Sequence, residues 1–164
     1  MKGAVAVFVK TPGLSEVKTR LAKDTGKAFA QDFYERCIHT VTSIVQSAVE
    51  ESACQLFPYW AVGEPEGLNS EHWGTFPAIY TGPGNLSERM YHVYTKLLED
   101  HDYIILIGTD SPQLDPRLIM NADHWLTADH EFIVGPSKDG GFYFFFVFIF
   151  FFFFFFFFFF FFFF

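Results

Sequence analysis

Ahead of a run of phenylalanines at its end, this chain has two short stretches that are apolar at every position: Ala4 to Val9 (AVAVFV) and Tyr103 to Ile107 (YIILI). A strand with one wet face alternates apolar and polar residues. A continuous apolar run of this length reads instead as a strand buried on both faces, which requires helices packed above and below the sheet. The remaining sequence supplies them. The spacing predicts a short helix over Val17 to Lys23 and a longer one from about Lys27 to Ser52, with Phe29, Phe33, Cys37, Val41, Ile44, Val45 and Ala48 on one face. Gln55 to Val62 reads as a second strand, with Pro58 marking an edge or a bulge. A small strand is expected near Ala78 to Tyr80, and a helix over Leu86 to Asp100 with Leu86, Met90, Val93, Tyr94, Leu97 and Leu98 as its stripe. Asn85 and Glu88 give that helix a cap. Asp115 and Pro116 open another helix to about Leu126, Phe132 to Val134 is a short strand, and Phe142 begins one more. Strands alternating with helices predict an α/β domain with a mostly parallel sheet. Ligands of such sheets bind outside the carboxyl ends of the strands. That rule selects the loop after Lys10 and the segment Gly108-Thr109-Asp110.

Charge narrows the ligand. The 164 residues carry 11 Lys and Arg against 19 Asp and Glu, a net charge of -8. A nucleic-acid partner is excluded on this balance, because affinity for a polyanion comes mainly from phosphate neutralisation. Yet Lys10, Lys18, Arg20, Lys23 and Lys27 cluster in one short stretch. The cluster is either a site for a small anion or a solvated helix face. The loop within it, Lys10-Thr11-Pro12-Gly13 through Lys18-Thr19-Arg20, lacks the GxxxxGK[ST] spacing of a P-loop, with Val17 standing where the second glycine should be. What remains is a Pro-Gly turn, a helix start and two cations, a fit for a diphosphate without a P-loop. Asp110, immediately past a buried strand, is placed either to hold Mg²⁺ or Mn²⁺ or to cap the next turn. Asp139-Gly140-Gly141 allows close backbone approach to a ligand and equally suits a hairpin turn. Cys37 and Cys54 have neither CxxC nor zinc spacing and read as buried free thiols of a reducing compartment. The N-terminus lacks a signal-peptide pattern, so the expected location is cytoplasmic.

Three segments in this order, KTPGLSEVKTRLA (Lys10 to Ala22), LIGTDSPQL (Leu106 to Leu114) and GPSKDGGFY (Gly135 to Tyr143), resemble one family. It is the glycosyltransferase-like DUF2064 family, also called selenodomain-associated transferase 1. It is similar to phospholactate and molybdenum-cofactor guanylyltransferases. NLSERM (Asn85 to Met90) resembles the family's Gly-x-Leu-Gly-x-Arg-Met segment, with Asn85 and Ser87 departing from the commonest residues. The resemblance implies a GT-A (nucleotide-diphospho-sugar transferase) fold, a Rossmann-like three-layer sandwich. It implies a nucleotide held by the first loop, with Lys10, Lys18 and Arg20 on phosphates, Thr19 adding a hydroxyl, and Pro12 and Gly13 shaping the turn. Arg89 joins the nucleotide site, Asp110 holds Mg²⁺ or Mn²⁺ with Asp139 as a second metal ligand or an acceptor ligand, Gly140 and Gly141 line the substrate, and Asp110 and Lys18 are the catalytic pair. The implied activity is metal-dependent glycosyl transfer from a nucleotide-sugar donor to a small acceptor. Nucleotidyl transfer to a phosphorylated acceptor, or nucleotide binding without turnover, are the alternatives.

From Phe144 to Phe164 the sequence departs from any of this: 19 of those 21 residues are phenylalanine. Length and hydropathy meet the rule for a membrane span, but natural spans mix aliphatic residues and keep aromatics at the interfaces. Uncharged, proline-free and rich in β-propensity, the run has the signature of an aggregation segment. The preferred reading is an error or a damaged gene, since a run of thymines encodes Phe, and no membrane partner is expected unless the tail is genuine. The expected organisation is one transferase domain over 1–143, incomplete because family members continue beyond the Asp-Gly-Gly motif, followed by a poly-Phe segment over 144–164.

Overall fold

A computed structural model describes residues 1–52, 55–110, 112–127, 132–136 and 142–148. They form a six-stranded sheet between helices. The strands are β1 (Lys2–Val9), β2 (Gln55–Val62), β3 (Ala78–Tyr80), β4 (Tyr103–Gly108), β5 (Phe132–Pro136) and β6 (Phe142–Phe148). The helices are α1 (Thr19–Thr25), α2 (Lys27–Glu51), α3 (Leu86–Leu97) and α4 (Pro116–Thr127). Strand order is β3-β2-β1-β4-β6-β5. The first four strands are parallel, while β6 runs antiparallel to both β4 and β5. The α/β class and mostly parallel sheet expected from the sequence are therefore observed. Strand β6 crosses the 143/144 boundary expected from composition, pairing Phe144 with Ile107 and Phe148 with Tyr103.

The two apolar runs became the two central strands, because only a strand covered on both faces buries every side chain. Val5, Val7 and Val9 of β1 and Ile105 and Ile107 of β4 pack with Tyr34, Ile38, Val41 and Val45 of α2 on one face. Ala4, Ala6, Ile104 and Leu106 meet Val93, Tyr94 and Leu97 of α3 on the other. On β1 the α3 face carries alanines and the α2 face valines.

Three local expectations need refining. Helix α1 begins at Thr19, two residues later than the spacing suggests. The buried face of α2 is Ala30, Tyr34, Cys37, Ile38, Val41, Ile44, Val45 and Ala48, whereas Phe29 and Phe33 are 54% and 38% exposed. The stripe is rotated by one residue at its amino end, because α1 packs beside this first part of α2. Leu86 likewise is exposed, since its place is the solvent side of the first turn of α3. The cap itself is as expected: Asn85 Oδ1 accepts from the Glu88 amide at 3.1 Å, and Glu88 Oε2 accepts from the Asn85 amide at 2.7 Å. Pro58 sits where β2 lacks a neighbour. The Trp60 amide donates to Pro77 on the β3 side, so the Pro58 nitrogen, two residues earlier, faces the same side below the end of β3, whose pairing begins at Trp60. Cys37 is buried and free; Cys54 lies outside the described residues. No helix among the described residues is long and apolar enough to cross a membrane.

At the amino ends of the strands, the fully buried Tyr103 lies over Gly3 of β1, where a side chain would collide with the phenol ring. Its hydroxyl donates to Asp123 of α4, which also accepts from Ser52 at 2.6 Å. Gly3→Ala therefore forces apart the ring and the carboxylate that anchors it. Urea unfolding is expected to show a loss of about 1–3 kcal/mol, the usual cost of overpacking a filled core.

Candidate active site at the carboxyl ends of the strands

The chain passes from β1 outward to β2 and β3, then returns to β4 on the other side of β1. The carboxyl ends of β1 and β4 thus flank the point where the strand order reverses, the place where open α/β sheets leave a crevice. Lys10 and Thr11 follow β1, Gly63 and Glu64 follow β2, Thr81 follows β3, and Thr109 and Asp110 follow β4.

The end of β1 is held by groups from three elements. The Lys10 amide donates to Tyr34 Oη of α2 at 2.8 Å, and the same hydroxyl donates to the Lys10 carbonyl at 3.1 Å. One phenol thus holds both backbone groups of the first residue beyond β1. Burial pushes this phenol up from 10 to about 12, helped by the negative charges of Asp110 and Glu64 and opposed by its hydrogen bonds. The Thr11 amide donates to Glu64 Oε2 at 2.8 Å, and the Gly63 amide donates to the Val9 carbonyl at 2.9 Å. Arg89 of α3 spans the next gap, donating to the carbonyls of Gly84 at 2.9 Å and Gly63 at 3.0 Å.

Beyond Thr11 the chain turns, with the Leu14 amide on the Thr11 carbonyl at 3.1 Å and Gly13 at φ +84°. Among the described residues, Lys18 alone of the non-glycines has positive φ, at φ 47° and ψ 44°. Left-handed backbone costs a side-chain-bearing residue about 1–2 kcal/mol. Here it turns the chain into α1 with the Lys18 ammonium 2.6 Å from Asp110 Oδ1. The lysine side chain is 17% exposed and the aspartate 82%. The ammonium also lies 5.6 Å from the ring centroid of Phe33.

The structure therefore brings Lys18 and Asp110 into contact, the two residues the family resemblance implies as a pair. Lys10 Nζ donates to the Glu16 carbonyl at 3.3 Å, along the same loop. Thr19 lines a cleft of about 420 Å³ with Gly13, Ser15, Glu16, Lys23 and Lys27, on the α1 side of the loop. Arg20 is exposed on α1, and Pro12 is half-buried in the turn. Arg89 reaches the site edge through backbone carbonyls. Asp139, Gly140 and Gly141 lie outside the described residues. No three His, Cys, Asp or Glu side chains among the described residues are grouped to hold a metal. Asp110 offers one exposed carboxylate, which fits Mg²⁺ or Mn²⁺ only where phosphate oxygens and water complete the shell, the usual mode for Mg²⁺. Sequence reasoning missed Tyr34, Glu64 and the role of Phe33. Tyr34 had a signal: it begins the spacing 34, 37/38, 41, 44/45, 48 of the true buried face.

Residues 44–145 match the family described as "Uncharacterized protein conserved in bacteria (DUF2064)". No curated protein matches the chain by sequence. Among solved structures, the fold matches a candidate nucleotide-diphospho-sugar transferase of Desulfovibrio desulfuricans G20, with TM-score 0.74 and 25% identity, over 90% of this chain and 64% of that one. It also matches CMP:2-keto-3-deoxy-manno-octonic acid synthetase complexed with CTP, with TM-score 0.50 and 18% identity, over 79% of this chain and 48% of that one. The chain thus spans less than two thirds of the length of each, and shares their fold.

Tyr34→Phe leaves the Lys10 amide without its acceptor and the Lys10 carbonyl without its donor. The expected loss is about 1–3 kcal/mol, read by urea unfolding, with faster hydrogen exchange at the Lys10 amide. The variant also tests the alkaline limb. The folded chain keeps this phenol protonated to about pH 12, while the unfolded chain releases the proton near 10. The unfolded state therefore binds fewer protons between these values, and stability present below pH 10 falls as the pH climbs to about 12. Tyr94, raised to about 12 by burial, adds to the slope. Stability measured from pH 9 to 12 should fall less steeply in Tyr34→Phe.

Proposed function

The chain belongs to the DUF2064 family, and from that premise we propose that it is a transferase of a nucleotide-linked group, a metal-dependent glycosyltransferase using a nucleotide-sugar donor. The observation that carries the reading is the Lys18–Asp110 pair, 2.6 Å apart across the carboxyl ends of β1 and β4. A cation and a carboxylate at the strand-order reversal of a parallel sheet are the two charges needed to receive a diphosphate and its counter-ion.

In this reading Lys18 and Lys10 neutralise the phosphates of the donor, and Arg20 adds charge at the rim. Lys10 is set by Tyr34, which fixes both its amide and its carbonyl, so its position does not depend on the ligand. Asp110, with Asp139 as the expected second carboxylate, would hold Mg²⁺ or Mn²⁺. When bound, that ion offsets charge on the diphosphate as the bond to it breaks. Thr19 and the cleft beside it stand next to the loop that holds the donor, and Gly140 and Gly141 are expected along the acceptor side. The preorganised cations lower the barrier by stabilising charge that grows on the leaving diphosphate.

Thermal shift against UDP, GDP, CDP, GTP and UDP-sugars, each with and without Mn²⁺, tests the site. Upward shifts of the melting temperature with one nucleotide are expected, lost in Asp110→Ala and in Lys18→Ala. The absence of any shift in the folded protein would overturn the assignment. Glycosyl transfer predicts release of a nucleoside diphosphate. Release of pyrophosphate would establish nucleotidyl transfer instead, and binding without release would mark a non-catalytic module.

A further inference from the structure

Phe33 stands on α2 next to the buried Tyr34 and is 38% exposed. The Lys18 ammonium lies 5.6 Å from its ring centroid, within the range where a cation is attracted to an aromatic face. The same ammonium is 2.6 Å from Asp110 and is the less exposed partner, at 17% against 82%. It hangs from a backbone in the left-handed region, which a lysine does not choose on its own. An exposed ion pair contributes little to stability, about 0–1 kcal/mol. It does not by itself hold a four-carbon chain in one rotamer on a strained residue.

We infer that Phe33 is a positioning residue: its ring is a seat that holds the Lys18 ammonium over the crevice. The inference deepens the proposed diphosphate site and rests on it for its functional consequence. The ring attracts the ammonium without offering a hydrogen-bond acceptor, so the N–H donors stay directed at Asp110 or at a phosphate oxygen that takes its place. A carboxylate in the position of Phe33 would hold the lysine as well but would repel the phosphate. An aliphatic side chain would fill the space but leave the ammonium free to turn into solvent.

The test uses the full chain with ¹³C-labelled lysine, and Lys18→Arg to assign the Lys18 signal. Ring current from Phe33 should move the Lys18 ε-methylene resonance upfield. That shift should collapse in Phe33→Leu and return in Phe33→Trp. In parallel, inorganic pyrophosphate with Mg²⁺ is titrated by calorimetry. Phe33→Leu should weaken binding about two- to fivefold, the range of an exposed cation–π contact, with Phe33→Trp restoring it. Unfolding midpoints close to wild type would show that both variants fold. An unshifted Lys18 resonance in wild type, or the same shift in Phe33→Leu, overturns the seat. So does unchanged pyrophosphate affinity in Phe33→Leu where Lys18→Met has lost it. If wild type itself binds no pyrophosphate while the ring-current pattern holds, the diphosphate reading fails and the seat stands.

Discussion

Strand β1 is hydrogen-bonded to β2 on one side and β4 on the other, and its side chains are buried on both faces. No freedom remains to it except at its ends. Its carboxyl end must leave the sheet at Lys10, beside the end of β4, and the polar backbone released there has to be satisfied by something. The structure answers with Tyr34 on Lys10, Glu64 on Thr11, and the Gly63 amide on Val9. Each clamp comes from an element that the core has already fixed. The loop that carries Lys18 therefore starts from a rigid origin, and the position of Lys18 relative to Asp110 follows from the register of β1 against β4.

The two edges of the sheet are treated in opposite ways. At the amino ends, Tyr103, Asp123 and Ser52 form a buried polar group, and Asp123 is 2% exposed. A carboxylate so enclosed is costly to separate from its donors, so this edge resists change. At the carboxyl ends, Asp110 is largely exposed and its partner is the ammonium of Lys18. Water screens that pair, and another anion or cation replaces either member at small cost. Stability is concentrated at one edge and exchangeable charge at the other.

What was legible in the sequence was whatever depends on neighbours along the chain. The runs 4–9 and 103–107 specify central strands because six and five successive apolar residues are too few for a buried helix and fit a strand covered on both faces. The cap at Asn85 and Glu88 is complete within four residues, and Pro58 reports a missing partner through its own missing amide. The faces of α2 and α3 were read less well at their amino ends. Periodicity gives a stripe but not its angle, and the angle of α2 is set by α1 and the sheet. The roles of Tyr34 and Glu64 were invisible for a different reason: their partners are backbone groups of Lys10 and Thr11, which any residue carries. Asp110 was conspicuous by its position after a strand and Lys18 by the cation cluster, and only the family resemblance joined them, because their pairing spans 92 residues and exists only once β4 lies beside β1. The Asp-Gly-Gly segment lies outside the described residues, so its place rests on the family resemblance.

The energetics of Lys18 decide how the loop should be understood. Its left-handed backbone costs about 1–2 kcal/mol, and an exposed ion pair returns about 0–1. A cation–π contact at a partly exposed site adds about 0.5–1. The sum is close to zero, so the arrangement gains the folded chain almost nothing. In the proposed diphosphate site, such a balance would let Lys18 change partners. A deeply stabilised ion pair would hold Lys18 against any incoming phosphate, and an unsupported one would lose the lysine to solvent. With Asp110 on one side and the Phe33 ring on the other, the ammonium is kept in place while its strongest partner stays replaceable.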